Sequence, residues 1–158
     1  MSIHQFFFRS IILITLVCQS CDSNDITTLY PLDVSQNIQD FFPVNYINSG
    51  NDIFIFDEKE DVSLYVINNE KELLEITKKD QIPVIDWQKY TLLIGQYRVP
   101  STAYLFSEQS IQIEKGKQTL LLRLENSLNG WNVITHIYFW GIYEKLPDSK
   151  VDLSVEIS

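Results

Sequence analysis

The segment Gln118-Thr119-Leu120-Leu121-Leu122-Arg123-Leu124-Glu125 alternates as a β-strand with one buried face does. Leu120, Leu122 and Leu124 are expected on one face of this strand, with Arg123 and Glu125 on the other. The end of the chain repeats the pattern, since Val151, Leu153, Val155 and Ile157 alternate with Asp152, Ser154 and Glu156. Such regular alternation predicts an antiparallel sheet that has one face in water.

Further strand patterns surround this segment. They cover Ile53–Phe56, Val62–Ile67, Tyr90–Val99, 102–106, 110–114 and Trp131–Tyr143. Lys115-Gly116-Lys117 predicts a turn, and Asn129-Gly130 is typical of a β-hairpin. One helix is predicted from Asn69 to about Lys79, with Asn69 as its cap and Glu72 in a capping-box position. The sequence therefore predicts an α+β fold that is mostly β, namely an antiparallel sandwich or half-barrel of six to eight strands with one helix.

The first twenty residues have the pattern of an export signal. Arg9 is their only charged side chain, and a nearly continuous apolar run extends from Ile11 to Val17. This run has the length of a signal-peptide core and is far shorter than the roughly 20 residues that span a bilayer. The small residue Ser20 precedes Cys21, which favours cleavage there and lipidation of Cys21. We therefore predict a signal peptide over residues 1–20.

This segment resembles the lipoprotein signals of Bacteroidetes-type bacteria, in which a Ser-Cys pair ends the apolar run. Cys18 is the alternative lipidation site, although Val17 before it is larger than the residue expected at the cleavage position. The resemblance implies several acyl chains on the cysteine, and stable membrane anchoring needs more than one chain. It also implies that the acidic run Asp22-Ser23-Asn24-Asp25 directs the protein to the cell surface. The alternative for this run is a solvated linker.

Composition divides the rest of the chain into two parts. Residues 21–50 are rich in Asn, Asp, Gln and Ser, and they are predicted to form a tether and a partly packed lead-in. The apolar cluster Phe41-Phe42-Pro43-Val44 is expected to pack onto the domain, so the tether can end before residue 40. Residues 51–158 are predicted to form a single β-rich domain, which fits the usual domain size of about 100–150 residues.

Charge limits the partners of this protein. The chain has 12 Lys and Arg against 21 Asp and Glu, a net charge of −9. Removal of residues 1–20 takes away Arg9 and leaves 11 against 21, a net charge of −10. Such a surface repels nucleic-acid phosphates and lacks a polybasic patch for anionic lipids. We therefore expect no nucleic-acid partner and a membrane contact made through the lipid anchor.

No constellation of catalytic or metal-binding residues emerges from the sequence, and no cofactor is predicted. His136 is the only histidine after the signal, whereas a metal site needs several ligands. It is interpreted as a structural strand histidine. The acidic cluster at 57–61 lacks the spacing of a calcium-binding EF-hand and is interpreted as a solvated turn. Residues 1–158 contain neither a phosphate-binding glycine loop nor a nucleophile elbow.

The three tryptophans are the best candidates for a binding surface. Trp131 lies beside the Asn129-Gly130 turn, where we expect an exposed side chain, and it is the predicted binding residue. Trp140 lies in an apolar strand and is expected in the core. Trp87 is expected to seal the start of a strand.

The segment Ile85-Asp86-Trp87-Gln88-Lys89-Tyr90-Thr91-Leu92-Leu93-Ile94-Gly95 resembles a segment of small envelope lipoproteins of Bacteroidetes. It is also loosely similar to the C-terminal module of bacterial protease-complex accessory subunits. Those subunits usually have a Gly-rich segment after the corresponding strand, whereas this chain has Ser101-Thr102-Ala103-Tyr104. The resemblance spans about residues 53–157 and implies no catalytic residues.

Three functional hypotheses follow from the sequence. The first is a non-enzymatic binding or accessory module, lipid-anchored in the bacterial cell envelope at the outer membrane. Its partner would be an envelope protein, a peptide or a glycan. The second is a carboxylate-based hydrolase such as a glycosidase, which needs two carboxylates about 5–9.5 Å apart in a cleft. The third is a structural lipoprotein that has no specific ligand.

Overall fold

The computed structural model describes residues 25–147 and 150–158. The described part contains two short helices, α1 (Gln36–Phe41) and α2 (Glu70–Ile76). It also contains seven strands: β1 (Thr27–Leu29), β2 (Val62–Ile67), β3 (Tyr90–Val99), β4 (Tyr104–Glu114), β5 (Lys117–Asn126), β6 (Thr135–Glu144) and β7 (Asp152–Ile157). The predicted α+β class with six to eight strands is confirmed.

The strands form two sheets that pack as a sandwich. One sheet has the order β1-β4-β5-β7 and the other has the order β2-β3-β6. All pairings are antiparallel except β5 with β7, which is parallel, with Leu120 opposite Leu153. The prediction of a wholly antiparallel sheet is thus wrong at the C-terminal strand. The chain crosses between the sheets before β7, and this crossing allows β7 to run in the direction of β5.

Two apolar cores hold the sandwich together. The first lies between the sheets and is formed by alternate residues of β3, β4, β5 and β6, among them Leu93, Leu122 and Phe139. The second lies on the outer face of the three-stranded sheet, where Leu92 and Tyr138 pack against α2 and the N-terminal segment. The three-stranded sheet is therefore covered on both faces. This explains why β3 has a nearly continuous apolar sequence rather than a clean alternation.

Ordered structure begins well before residue 51. The segment 27–50, placed by sequence in a tether and partly packed lead-in, contains β1, α1 and the buried Phe42. It is held by backbone hydrogen bonds to β6, from Tyr138 N to Tyr46 O and from Asn48 N to His136 O. These bonds need no particular side chain, which is why the composition of the segment does not reveal them. The single-helix prediction is corrected for a similar reason, because α1 is short, has no buried residue and shows no apolar period.

Helix α2 is shorter than predicted but has the predicted cap. The Asn69 side chain accepts a hydrogen bond from Glu72 N at 3.0 Å, and Glu72 accepts one from Asn68 N at 2.7 Å. The helix ends at Ile76 because Thr77 forms a β-bridge with Phe54. The predicted strand Ile53–Phe56 is reduced to this single bridge, since the chain before it is a turn.

The two glycine-containing turn signals have different outcomes. Lys115 and Gly116 have φ angles of 51° and 81°, and they close a tight hairpin between β4 and β5 as predicted. Asn129-Gly130 forms no hairpin, because β5 and β6 belong to different sheets. Glycine at 130 serves close packing instead. A Cβ atom there would lie 2.3 Å from the backbone nitrogen of Ala103.

Candidate functional site

The predicted lipidation site lies outside the described residues. The signal peptide 1–20, Cys21 and the alternative Cys18 all precede residue 25, where the described part begins. Lipidation at Cys21 therefore stays a prediction from the sequence.

Trp131 lies in the loop that joins β5 to β6, and its side chain is 79% exposed. The neighbouring Leu128 is fully exposed, and both residues line a shallow depression together with Tyr46 and Thr102. The loop backbone is fixed, since Trp131 N donates to Thr102 Oγ1 and Thr102 N donates to Trp131 O. A fixed backbone thus displays an exposed aromatic side chain. Its role in binding stays a prediction.

The other tryptophans and His136 contact neighbouring parts of the fold. Trp140 is half-buried, and its indole N–H donates to Pro43 O at 2.8 Å. Trp87 packs against the second core. His136 is buried, and its Nε2 lies 3.4 Å from Glu60 O. Trp87 and His136 are therefore occupied by contacts within the fold, whereas Trp140 keeps part of its ring at the surface.

Two buried tyrosines could suggest acid–base chemistry, but their surroundings oppose it. Tyr138 and Tyr143 are almost fully buried, and their hydroxyls have no hydrogen-bond partner within the described part of the chain. Burial raises the pKa of both phenols well above the ordinary value for tyrosine. Both rings therefore stay neutral and act as core side chains.

The described residues offer neither a metal site nor a membrane-spanning helix. Within 25–147 and 150–158, no group of three or more His, Cys, Asp or Glu residues is placed to hold a metal ion. Over the same residues, no helix has the length and apolar character needed to cross a membrane. In the acidic turn, the Asp57 carboxylate accepts a hydrogen bond from Lys59 N, as expected for a solvated turn.

A groove of about 650 Å³ lies on one side of the sandwich. We call it the β4 groove. Its sixteen lining residues are Tyr30, Pro31, Leu32, Asp33, Val34, Gln39, Phe42, Pro43, Val44, Asn45, Phe106, Glu108, Gln109, Trp140, Gly141 and Ile142. Most of these side chains are apolar, and the polar groups among them are two carboxylates, three amides, the Tyr30 hydroxyl and the Trp140 indole N–H. This composition is typical of ligand-binding clefts.

The N-terminal segment forms one wall of the β4 groove because it is bonded to β6 at two places. Leu32 N donates to Ile142 O at 2.7 Å. Farther along, Trp140 N donates to the side chain of Asn45 at 3.1 Å. The chain between these two anchors passes through α1 and then returns to the sheet. The groove lies between this segment and β4.

The floor of the groove is a pair of stacked aromatic rings. The Phe42 and Trp140 rings have centroids 4.4 Å apart and an interplanar angle of 24°. Phe42 is 3% exposed, so it supports the indole from below. The indole hydrogen bond to Pro43 fixes the ring further. The floor is thus preorganised, which lowers the entropic cost of binding a ligand.

Gln109 is the principal buried polar residue of the groove. It is 4% exposed, and its Nε2 donates to Trp140 O at 2.5 Å, which links β4 to β6. Its Oε1 has no hydrogen-bond partner within the described residues. A buried acceptor without a partner costs about 1–3 kcal/mol, so a donor from a ligand would be favourable here.

The groove has a negative electrostatic character. Its lining includes Asp33 and Glu108 and no Lys, Arg or His. Glu108 is paired with Arg123, which also bonds Glu156, and these two carboxylates raise the pKa of the guanidinium. Asp33 is exposed and forms no ion pair with a described residue. The groove therefore has one uncompensated negative charge and does not present two free carboxylates.

Sequence reasoning did not find this groove. The cluster Phe41-Phe42-Pro43-Val44 was expected to pack onto the domain, and Phe42 does so. Its stacking partner Trp140, however, lies 98 positions later in the chain, and neither segment has a sequence pattern that predicts this contact. The usable signal was the presence of four apolar residues inside an otherwise polar segment.

Comparisons with protein-family models, with curated proteins and with solved structures return no match for this chain.

Proposed function

We propose that this protein is a non-enzymatic binding module of the bacterial cell envelope, held at the outer membrane by a lipid on Cys21, and that it binds its partner in the β4 groove. The observation that carries the binding role is the preorganised aromatic floor formed by Phe42 and Trp140. A cleft with a rigid apolar floor and a few polar groups at its wall is the usual form of a binding site.

The anchor rests on the sequence of the first 21 residues. A short apolar run ends at Ser20-Cys21, in the arrangement of a lipoprotein signal. The acidic surface of the remaining chain attracts no anionic lipid, so a covalent lipid is the simplest means of membrane attachment.

Replacement of the predicted lipidated residue tests the anchor. Cells that make the Cys21→Ala variant should show no incorporation of an alkyne-palmitate label into the protein, because the acceptor thiol is gone. The variant should also leave the membrane fraction after a salt wash. Cys18→Ala is the matched control and should label like the wild type. Labelling of Cys21→Ala together with loss of labelling in Cys18→Ala would instead place the lipid on Cys18.

Site-specific photocrosslinking in the native envelope tests the groove. A benzoylphenylalanine at position 44 should give a discrete adduct, since Val44 lies at the groove and is 76% exposed. The same residue at position 55 is the control, because Ile55 is 54% exposed and does not line the groove. Tyr30→Ala should reduce the adduct at position 44 about tenfold, since an aromatic anchor at an interface often contributes 1–3 kcal/mol.

A third position separates the groove from the exposed loop. An adduct from position 128, beside Trp131, with none from position 44 would refute the groove and support Trp131 as the binding residue. Equal adducts from positions 44 and 55 would indicate unspecific contact and would also contradict the proposal. Val44, Ile55 and Leu128 are all exposed, so benzoylphenylalanine at these positions is not expected to disturb the fold.

A further inference from the structure

Strand β4 has an open edge along most of its length. It has 11 residues, and β1 pairs only with Ile111, Gln112 and Ile113. Residues 104–110 therefore have β5 on one side and no strand on the other, within the described part of the chain. Backbone donors and acceptors on an open edge can pair with another extended chain.

The open edge of β4 forms one side of the β4 groove. Phe106, Glu108 and Gln109 belong to residues 104–110 and also line the groove. The groove continues to Tyr30 and Pro31, directly after the end of β1. An extended segment in the groove would thus continue the sheet where β1 leaves it.

Gln109 adds a second, independent indication of a ligand. Its amide is nine-tenths buried in the groove wall, and its Oε1 lacks a hydrogen-bond partner within the described residues. Buried amide oxygens in native proteins are nearly always paired. A ligand N–H donor would complete this group once the Gln109 side chain turns its Oε1 toward the groove, because this oxygen is buried in the free protein.

Charge favours a basic ligand. Asp33 is the uncompensated charge of the groove, and no cationic side chain lines it. The chain as a whole has a net charge of −9, so its field also attracts cations and repels anions. A positively charged side chain next to Asp33 would be attracted both by this carboxylate and by the net negative charge of the chain.

We infer that the β4 groove binds an extended polypeptide segment that adds to the open edge of β4 and places a basic side chain against Asp33. This inference rests on the proposed binding function of the groove. In this mode, backbone hydrogen bonds supply affinity and alternate side chains supply specificity. Every second side chain of the segment would enter the apolar groove.

The aromatic floor favours a peptide over a glycan. Sugars stack on an exposed ring face, whereas the Trp140 indole is half-buried and stacks on Phe42. Its N–H is also engaged by Pro43 O. The floor therefore offers an apolar surface for aliphatic side chains rather than a free stacking platform.

A synthetic peptide tests this mode directly. The probe is a fluorescein-labelled decapeptide in which Val, Phe and one Lys occupy alternate positions, with Thr at the positions between them, so that the Lys lies on the face that enters the groove. It is titrated with the purified protein and followed by fluorescence anisotropy. A matched peptide that has Glu in place of Lys should bind at least about tenfold more weakly, because its charge repels Asp33. Upon binding of the Lys peptide, backbone amides within residues 104–110 should become protected from hydrogen exchange.

Backbone methylation isolates strand addition from side-chain binding. An extended strand presents its N–H groups alternately to its two sides. Two peptide isomers can therefore be made, one N-methylated at the odd-numbered residues and the other at the even-numbered residues. The isomer whose methyl groups face β4 should bind about tenfold or more weakly, since it loses the hydrogen bonds to β4. The other isomer should bind with nearly unchanged affinity. Equal affinities of the two isomers would overturn strand addition.

A charge-matched pair of variants tests the role of Asp33. Asp33→Asn should weaken binding of the Lys peptide about three- to tenfold, and this loss should shrink at high salt. Asp52→Asn removes the same charge outside the groove and should have little effect. Equal losses in the two variants would reduce the charge effect to a general field and contradict the local contact.

Other occupants give distinct results. Binding of an N-acetylglucosamine tetrasaccharide without binding of the peptide would replace the peptide by a glycan. Concentration-dependent dimerisation that protects residues 104–110 would identify a second copy of this chain as the occupant. A crosslinked adduct at position 44 in the envelope, combined with failure of the peptide, would leave the proposed function standing and refute only the peptide.

Discussion

A chain that begins at Asn51 is expected not to form the native fold. It lacks β1, α1 and Phe42, so the outer face of the three-stranded sheet loses much of its cover. Full burial of one side chain such as Phe42 contributes about 1.5–3 kcal/mol, and Val34, Ile38 and Phe41 add partial burial. The loss is on the order of 5 kcal/mol, which reaches the typical domain stability of about 5–15 kcal/mol.

This expectation is measurable by NMR and urea denaturation. The shortened chain should give a poorly dispersed ¹H–¹⁵N spectrum and no cooperative unfolding transition. A chain that begins at Asp25 is the matched control and should unfold cooperatively, since it keeps every described element. A well-dispersed spectrum with an unchanged urea midpoint from the shorter chain would show that the N-terminal segment is dispensable.

The substitution Phe139→Ala is expected to cost about 3–5 kcal/mol of unfolding free energy. Phe139 is fully buried between the two sheets, where its ring lies over Gly95. A Cβ atom at Gly95 would lie 2.5 Å from the ring, so the glycine is shaped to accept it. The cavity left by the ring cannot close easily, because Gly95 lies on β3, which is paired on both sides with β2 and β6.

Urea unfolding monitored by tryptophan fluorescence checks this value. The midpoint should fall by more than about 1 M at an unchanged m-value, given slopes of about 1–3 kcal/mol/M. Ile134→Ala is the control, because this side chain lies just before β6 and is 60% exposed. Its effect should be within about 0.5 kcal/mol. A loss below 1 kcal/mol for Phe139→Ala would mean that the two sheets are not packed as described.

The fold class followed from the sequence because period-two patterns survive in the strands that have one wet face. Residues 151–157 alternate cleanly, residues 118–125 alternate except at Leu121, and both segments contribute strands to the four-stranded sheet. The direction of β7 did not follow, since a period of two is the same for parallel and antiparallel neighbours. The hairpin prediction at Asn129-Gly130 is wrong because a glycine has more than one possible role. The dipeptide suits a tight turn, but Gly130 is needed here for its close contact with Ala103.

The candidate site was largely beyond sequence analysis. The exposure of Trp131 agrees with its expected position in a loop. The β4 groove, by contrast, is made of segments joined over long sequence separations, such as Pro43 with Trp140. Its open strand edge depends on where β1 stops, and β1 has only three residues and no distinctive pattern. Backbone pairing of this kind leaves little trace in side-chain chemistry.

If Cys21 carries the proposed lipid, the early start of β1 would also set how the domain stands on a membrane. With the lipid on Cys21, five residues separate the anchor from Thr27, and the six steps along the chain reach about 20 Å at most. Thr27 pairs with Ile113, beside the Lys115-Gly116 turn, so under the proposed lipidation this end of the sandwich would face the bilayer. The loop that carries Trp131 lies at the opposite end of β4, about 30 Å farther out. The β4 groove lies between these ends and opens sideways, and a segment paired with β4 would run along this strand, away from the membrane surface.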